Sequence, residues 1–243
     1  MLRRPTHTQM KVGIIQSSYL PWRGYFDFIA SVDLFVVYDD VQFSKGAWRN
    51  RNRIKTPRGL QWLTVPVRHR SLSQLICETE IDNSRNWRRD HSQSVAINYA
   101  RAPYVRDVLS MLGAAFDAPH TTISGLNIAL MRSVCDYLAI RTPLRLSAEV
   151  PQHGAKTERL VGLLRSVGAT SYVSGPTGRG YLDEARFHRA GIRLEYKVYS
   201  YPEYPQRWGH FEGAVSVMDL LANCGPQSRD LLLSQEPNQA VAA

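Results

Sequence analysis

The chain has 243 residues, 44% of them hydrophobic and 21% charged, with no long low-complexity tract. That is enough apolar material for one large domain and excludes a disordered chain. The net charge of +9 and pI of about 9.7 favour anionic partners, from phosphorylated metabolites to nucleic acid, acidic proteins or a membrane surface, without choosing among them.

Residues 1–10 read as a flexible lead. No signal-peptide core follows them and no run approaches the roughly 20 apolar residues of a membrane span, so a cytoplasmic protein is expected. "KVGII" (Lys11 to Ile15) reads as a buried strand, and a helix begins near Gly24 with Phe26, Phe28, Ile29 and Val32. "DLFVVYDD" (Asp33 to Asp40) is a second buried strand. Strand, helix, strand over so short a stretch is the unit of a parallel sheet. "LQWLTVPV" (Leu60 to Val67) reads as a third strand, and "ICETEID" (Ile76 to Asp82) alternates like a strand with one wet face.

Amphipathic helical stretches, two of them separated by Pro103, fill residues from about 86 to 140 and read as a helical insertion. The α/β pattern then resumes. "PLRLSAEV" is a strand, "KTERLVGLLRSVGA" a helix closed at Gly168, and "TSYVSG" a strand. "GYLDEARFHRAG" is a short helix, "IRLEYKVY" a strand and "GAVSVMDLLANCG" a last helix. Residues 234–243 read as a disordered tail. The expected fold is α/β: a Rossmann-like, mostly parallel sheet in a single domain over residues 11–233, with the helical insertion inside it.

In such a sheet ligands bind at the carboxyl ends of the strands. Three segments fall there. In "DDVQFSKGAWRNRNRIK", Arg49, Arg51, Arg53 and Lys55 alternate with Asn50, Asn52 and Ile54, which puts four cations on one face of an extended chain. Guanidinium forks suit phosphate oxygens, so the segment is either an anion clamp or a solvated basic edge strand. Asp39 and Asp40 before it suit either Mg²⁺ beside a phosphate or ion pairs with the arginines. "SYLPWRGYF" is either a platform for a sugar or a base, or a structural corner. "SGPTGRGYL" (Ser174 to Leu182) has the small residues of an anion loop, with Arg179 inside it, but matches neither a P-loop nor GxGxxG. The seven histidines and three cysteines form no HExxH or CxxC signature, so no metal site is expected.

"GIIQSSYLPWRGYFDFIASVDLFVVYDDVQFSKGAWRNRNRIKTPRGLQWLTVPV", with the later "GATSYVSGPTGRGYLDEARFHRAGIRLEYKVYSYPEYPQ" and "FEGAVSVMDLLANCGP", resembles the WbqC-like family of bacterial proteins. The resemblance runs from about Lys11 to Leu233. It implies a transferase of surface-polysaccharide or natural-product biosynthesis. Many members carry His-Gln-Pro where this chain has Gln16-Ser17-Ser18. The opening is also similar, more remotely, to HIGH-motif nucleotidylyltransferases and pantothenate synthetase, with "PWRGYF" where the motif histidines would stand. That similarity implies a nucleotidylyltransferase-like sheet.

The leading expectation is an enzyme that moves an acyl or aminoacyl group from an activated, phosphate-bearing donor to a hydroxyl or amine. Arg49, Arg51 and Arg53, with Asn50 and Asn52 between them, hold the donor's phosphates. Ser174, Gly175 and Arg179 form a second anion-contacting loop. Tyr19, Trp22 and Tyr25 shape the acceptor pocket, and Gln16 and Asp40 fill polar catalytic roles. No cofactor is firmly implied; coenzyme A, an acyl carrier protein and a nucleotide stay open as donor or partner. The alternatives are a nucleotidylyltransferase or adenylate-forming enzyme, and a basic binding module for a carrier protein or nucleic acid. Nucleic acid is disfavoured because the aromatics do not interleave with the charges.

Overall fold

The computed structural model describes residues 9–241. Most of the expected flexible lead therefore lies outside the described residues. The chain opens with β1 (Lys11–Ile15), α1 (Arg23–Ala30) and β2 (Leu34–Val37). A hairpin follows, β3 (Arg51–Thr56) and β4 (Gly59–Thr64), and then the short pair β5 (Val67–Arg68) and β6 (Glu80–Ile81). Three helices come next: α2 (Trp87–Asn98), α3 (Val105–Asp117) and α4 (Ile123–Tyr137). The second α/β stretch holds β7 (Leu144–Leu146), α5 (Lys156–Ser166), β8 (Ser171–Ser174), α6 (Glu184–Arg189) and β9 (Arg193–Tyr196). The chain closes with α7 (Val217–Cys224), α8 (Ser228–Leu232) and β10 (Gln239–Ala240).

The central sheet runs β10-β9-β8-β1-β2-β7. All its pairings are parallel except that of β10 with β9. The fold is thus mixed α/β with a mostly parallel sheet, consistent with a Rossmann-like architecture. Every residue of β2 and β8 is buried, as strands covered on both faces must be. Alternation divides their side chains. Val12, Ile14, Leu34 and Val36 pack with Leu160, Leu163 and Leu164 of α5 and Phe187 of α6. Phe35, Val37 and Val173 face the other way, toward Phe26, Phe28 and Ile29 of α1 and the apolar sides of α2, α3, α4 and α7.

Several sequence expectations are revised. The strand expected at Leu60–Val67 is β4, and it pairs with β3 in a separate two-stranded sheet. Of Ile76–Asp82 the strand is confined to Glu80–Ile81, which is β6. Residues Ile76–Glu78 form a 3-10 turn, because the Glu78 carboxylate accepts from the Leu75 amide and Thr79 Oγ1 donates to the Leu75 carbonyl. Within the stretch expected to fray, Gln239 and Ala240 instead join the sheet: β9 would leave an open edge, and they pair with Tyr196 and Glu195. Gly168 takes φ +73, the left-handed conformation of a helix C-terminus, and α5 ends just before it.

Candidate functional site

Between β1 and β8 the order of strand connection reverses, and the crevice outside their carboxyl ends is the favoured ligand position in open α/β sheets. A cavity of about 610 Å³ lies there. The end of β1 contributes Ile14, Ile15 and Gln16, and the end of β8 contributes Ser174 and Gly175. Aromatic walls come from Trp22, Tyr25, Tyr38, Tyr172, Tyr181 and Tyr199, and Trp48, Arg49 and Asn52 close the side nearest the hairpin.

Local packing sets these walls. Trp22 precedes α1 and meets Tyr199 edge-on, ring centroids 5.0 Å apart, and Tyr201 at 5.9 Å. Gly24 in the first helical turn lets the indole lie against the backbone; a Cβ there would stand 2.4 Å from Trp22 Cζ2. The Tyr25 hydroxyl donates to the Gln16 carbonyl at 3.1 Å. Burial pushes the Tyr25, Tyr172 and Tyr199 phenols well above their ordinary range, so they remain neutral.

Among the described residues, Arg49 is the only cation lining the cavity. Its Nη1 donates to the Ser17 carbonyl at 2.8 Å, and it joins no ion pair among the described residues. Burial lowers its pKa, opposed by Tyr25 and by the Asp39 charge. A buried polar network fixes this arginine. Asp39 accepts from the Ser17 amide at 2.7 Å and from Ser124 Oγ at 2.5 Å. Asn127, fully buried on α4, donates to Ser17 Oγ at 3.1 Å and to the Arg49 carbonyl at 2.8 Å. A guanidinium has five donors and no acceptor. One bond to protein therefore leaves Arg49 equipped to meet an anion in a site of low polarity.

The WbqC-like protein family matches residues 16–231. The chain belongs to the WbqC-like protein family. This WbqC-like protein is also 46% identical over 225 residues to uncharacterized protein Rv1507c of Mycobacterium tuberculosis, covering 91% of this chain and 97% of that one. No solved structure matches.

Of the residues singled out in the sequence, the WbqC-like fold brings Gln16, Trp22, Tyr25, Arg49, Asn52, Ser174 and Gly175 to the cavity. The others lie elsewhere. Tyr19 is a core residue: it is fully buried and its hydroxyl meets His91 Nδ1 at 2.8 Å. Asp40 is held outside the cavity by Arg159 at 2.7 Å, Gln152 at 2.6 Å and the Ser147 hydroxyl. Neither aspartate pairs with the arginines of residues 49–58. Asn50 donates to the Val65 carbonyl at 2.8 Å, anchoring the strand behind the hairpin. Arg51 and Arg53 stand on the hairpin beside Trp62, outside the lining. Arg179 covers the Tyr196 ring at 4.1 Å and donates to Gln239 at 2.5 Å, so it braces the β9–β10 edge. The single clamp of three arginines thus becomes one inward cation and two on the hairpin.

Sequence reading missed Asn127 and Ser124. Their signal was present: two polar residues three apart inside the apolar run "ISGLNIALM", which places them on one helix face. Tyr38 and Tyr199, each just past a strand, carried no local signal. Among the described residues no helix is long and apolar enough to cross a membrane.

Proposed function

We propose that the switch-point cavity binds an activated, phosphate-bearing donor and that the protein is a transferase of surface-polysaccharide or natural-product biosynthesis. It moves an acyl or aminoacyl group from that donor to a hydroxyl or amine. The observation that carries this reading is Arg49, a half-buried guanidinium with no ion pair among the described residues, which lines an aromatic cavity at the position where such sheets bind ligands.

Arg49 holds a phosphate of the donor. Gln16, at the end of β1, presents its amide to the acyl oxygen as negative charge builds there. Ser174 and Gly175 contact the donor from β8, and Asn52 from the hairpin side. Trp22 and Tyr25 shape the space for the acceptor. The acceptor's oxygen or nitrogen bonds to the acyl carbon, the carrier leaves with the electrons of the broken bond, and the acceptor's proton passes to the departing carrier. Its neutral, buried tyrosines are poor general bases, so positioning and electrostatic stabilisation supply the rate.

Thermal melting with pyrophosphate, nucleotides, coenzyme A and phosphopantetheine tests the reading. A ligand at about 100 times its Kd adds roughly 2.7 kcal/mol of stability. At least one phosphate-bearing ligand should raise the melting temperature of the native protein, and Arg49→Gln should abolish the rise. An unchanged rise in Arg49→Gln would refute the anion site.

A further inference from the structure

The mouth of the cavity continues onto the β3–β4 hairpin. Trp48 lines the cavity and packs on Trp62, with ring centroids 5.4 Å and planes 33° apart. Arg53 is paired with Trp62 in the hairpin register. Its guanidinium lies 5.5 Å from the Trp62 ring and 5.7 Å from that of Trp48, while Arg51 lies 4.2 Å over Trp62. Aromatics and cations therefore do interleave here, contrary to the impression left by the linear sequence.

Two properties make this ledge unusual for a solvated surface. Trp48 and Trp62 are 43% and 42% exposed, so two adjacent indoles remain in water. Arg51 and Arg53 join no ion pair among the described residues, and Arg53 spends one donor on the Ala214 carbonyl at 3.0 Å. Ala214 itself lines the cavity, so that bond ties the ledge to the cavity rim.

The complement of such a ledge follows from its chemistry. Guanidinium groups only donate, so the ligand must bring acceptor oxygens, and charged ones gain most. Part-exposed indoles are matched by a flat ring, which packs on them without needing a hydrogen-bond code. A base with phosphates beside it meets both needs in one group. Arg49 inside the cavity then provides a second anion contact farther along the same molecule.

We propose that the Trp48–Trp62 ledge, with Arg51 and Arg53, binds the base and phosphates of a nucleoside diphosphate group whose reactive end enters the cavity toward Arg49. This deepens the transferase reading and rests on it. It narrows the donor's carrier to one that has a base, namely a nucleotide or coenzyme A, and sets aside the base-free phosphopantetheine arm of a carrier protein.

Calorimetric titration of the full chain with ADP, UDP, coenzyme A, phosphopantetheine and pyrophosphate tests the ledge. The expected result is that a base-bearing ligand binds roughly tenfold or more tighter than pyrophosphate. That advantage should vanish in Trp48→Leu and in Trp62→Leu while pyrophosphate affinity stays unchanged. Arg51→Gln and Arg53→Gln should weaken the base-bearing ligands more than pyrophosphate, whereas Arg49→Gln should weaken all of them. Preference for ADP and UDP identifies a nucleotide carrier; preference for coenzyme A identifies that carrier. Pyrophosphate binding as tightly as every base-bearing ligand, phosphopantetheine binding tightest, or unchanged ADP affinity in both tryptophan variants overturns the ledge. Arg49-dependent pyrophosphate binding in those cases leaves the cavity reading standing, whereas silence from all five ligands overturns both. Both indoles are part-exposed, so circular dichroism should show the variants folded.

Discussion

Asn127 Nδ2, on α4, donates to the main-chain carbonyl of Arg49 at 2.8 Å. The same amide reaches Ser17 Oγ at 3.1 Å, and Ser17 supplies the carbonyl that receives the Arg49 guanidinium. One buried amide thus holds both the backbone of the cavity's cation and the residue that orients it.

Replacing Asn127 with Leu strands these two acceptors in a site where the native side chain is fully buried. An unsatisfied buried group costs about 1–3 kcal/mol. Urea unfolding should show a loss in that range, and pyrophosphate affinity should fall although Asn127 is outside the cavity lining. Native stability and affinity in the variant would contradict the network.

Gly24→Ala puts a Cβ where the Trp22 ring now lies, 2.4 Å from Cζ2. The helix can accept alanine, so the indole must move and the cavity wall moves with it. The expected outcome is a folded protein with weakened ligand binding and altered tryptophan emission. Binding and emission indistinguishable from native would show that Trp22 does not form the wall.

Lys197 Nζ and the Asp27 carboxylate form an ion pair at 2.9 Å, with side chains 4% and 3% exposed. Tyr201 also donates to Asp27, at 2.7 Å. Removing one partner leaves an uncompensated buried charge, so Asp27→Leu or Lys197→Met alone should cost about 3–5 kcal/mol. The double variant should cost less than the sum of the singles. An additive double-mutant cycle would remove the coupling.

His91 lies between Tyr19 and Trp87, and burial lowers its pKa from 6.5 to about 4, opposed by a hydrogen bond to the Thr64 carbonyl and by Asp90. The native imidazole binds its proton more weakly than the unfolded one, so acid favours the unfolded chain. Its contribution is complete above pH 6.5 and declines as pH falls toward about 4. The full window corresponds to about 3 kcal/mol. Glu195, whose pKa is also lowered on balance, adds loss in acid, so the comparison that isolates His91 is with His91→Gln. That variant should show a flatter stability profile between pH 7 and 5; parallel profiles would mean the imidazole is not buried neutral.

The aromatic corner shows how far local pattern reaches. "SYLPWRGYF" was readable as a bend after β1, and its aromatics serve both readings offered for it. Trp22 and Tyr25 line the cavity, while Tyr19 and Phe26 are fully buried core. Nothing in the order of these residues distinguishes the pairs. The arginine run behaves the same way. Its period of two correctly implied an extended chain, and β3 starts at Arg51. Arg49 precedes the strand, however, and turns back to Ser17, while Arg51 and Arg53 follow the hairpin register to Trp62.

Hydrophobic spacing along the chain was sufficient for the succession β1, α1, β2 and the later α5, β8, α6, β9, for the parallel character of the sheet and for the burial of β1, β2 and β8, because face and period are properties of neighbouring residues. The meeting of Gln16, Arg49, Asn127 and Ser174 at one end of that sheet was not. Those contacts depend on strand order, on the turn of the hairpin and on the docking of α4, which join residues far apart in sequence. Packing between distant elements, not local periodicity, decides which polar groups are left without partners at the cavity, and those groups are what a ligand meets.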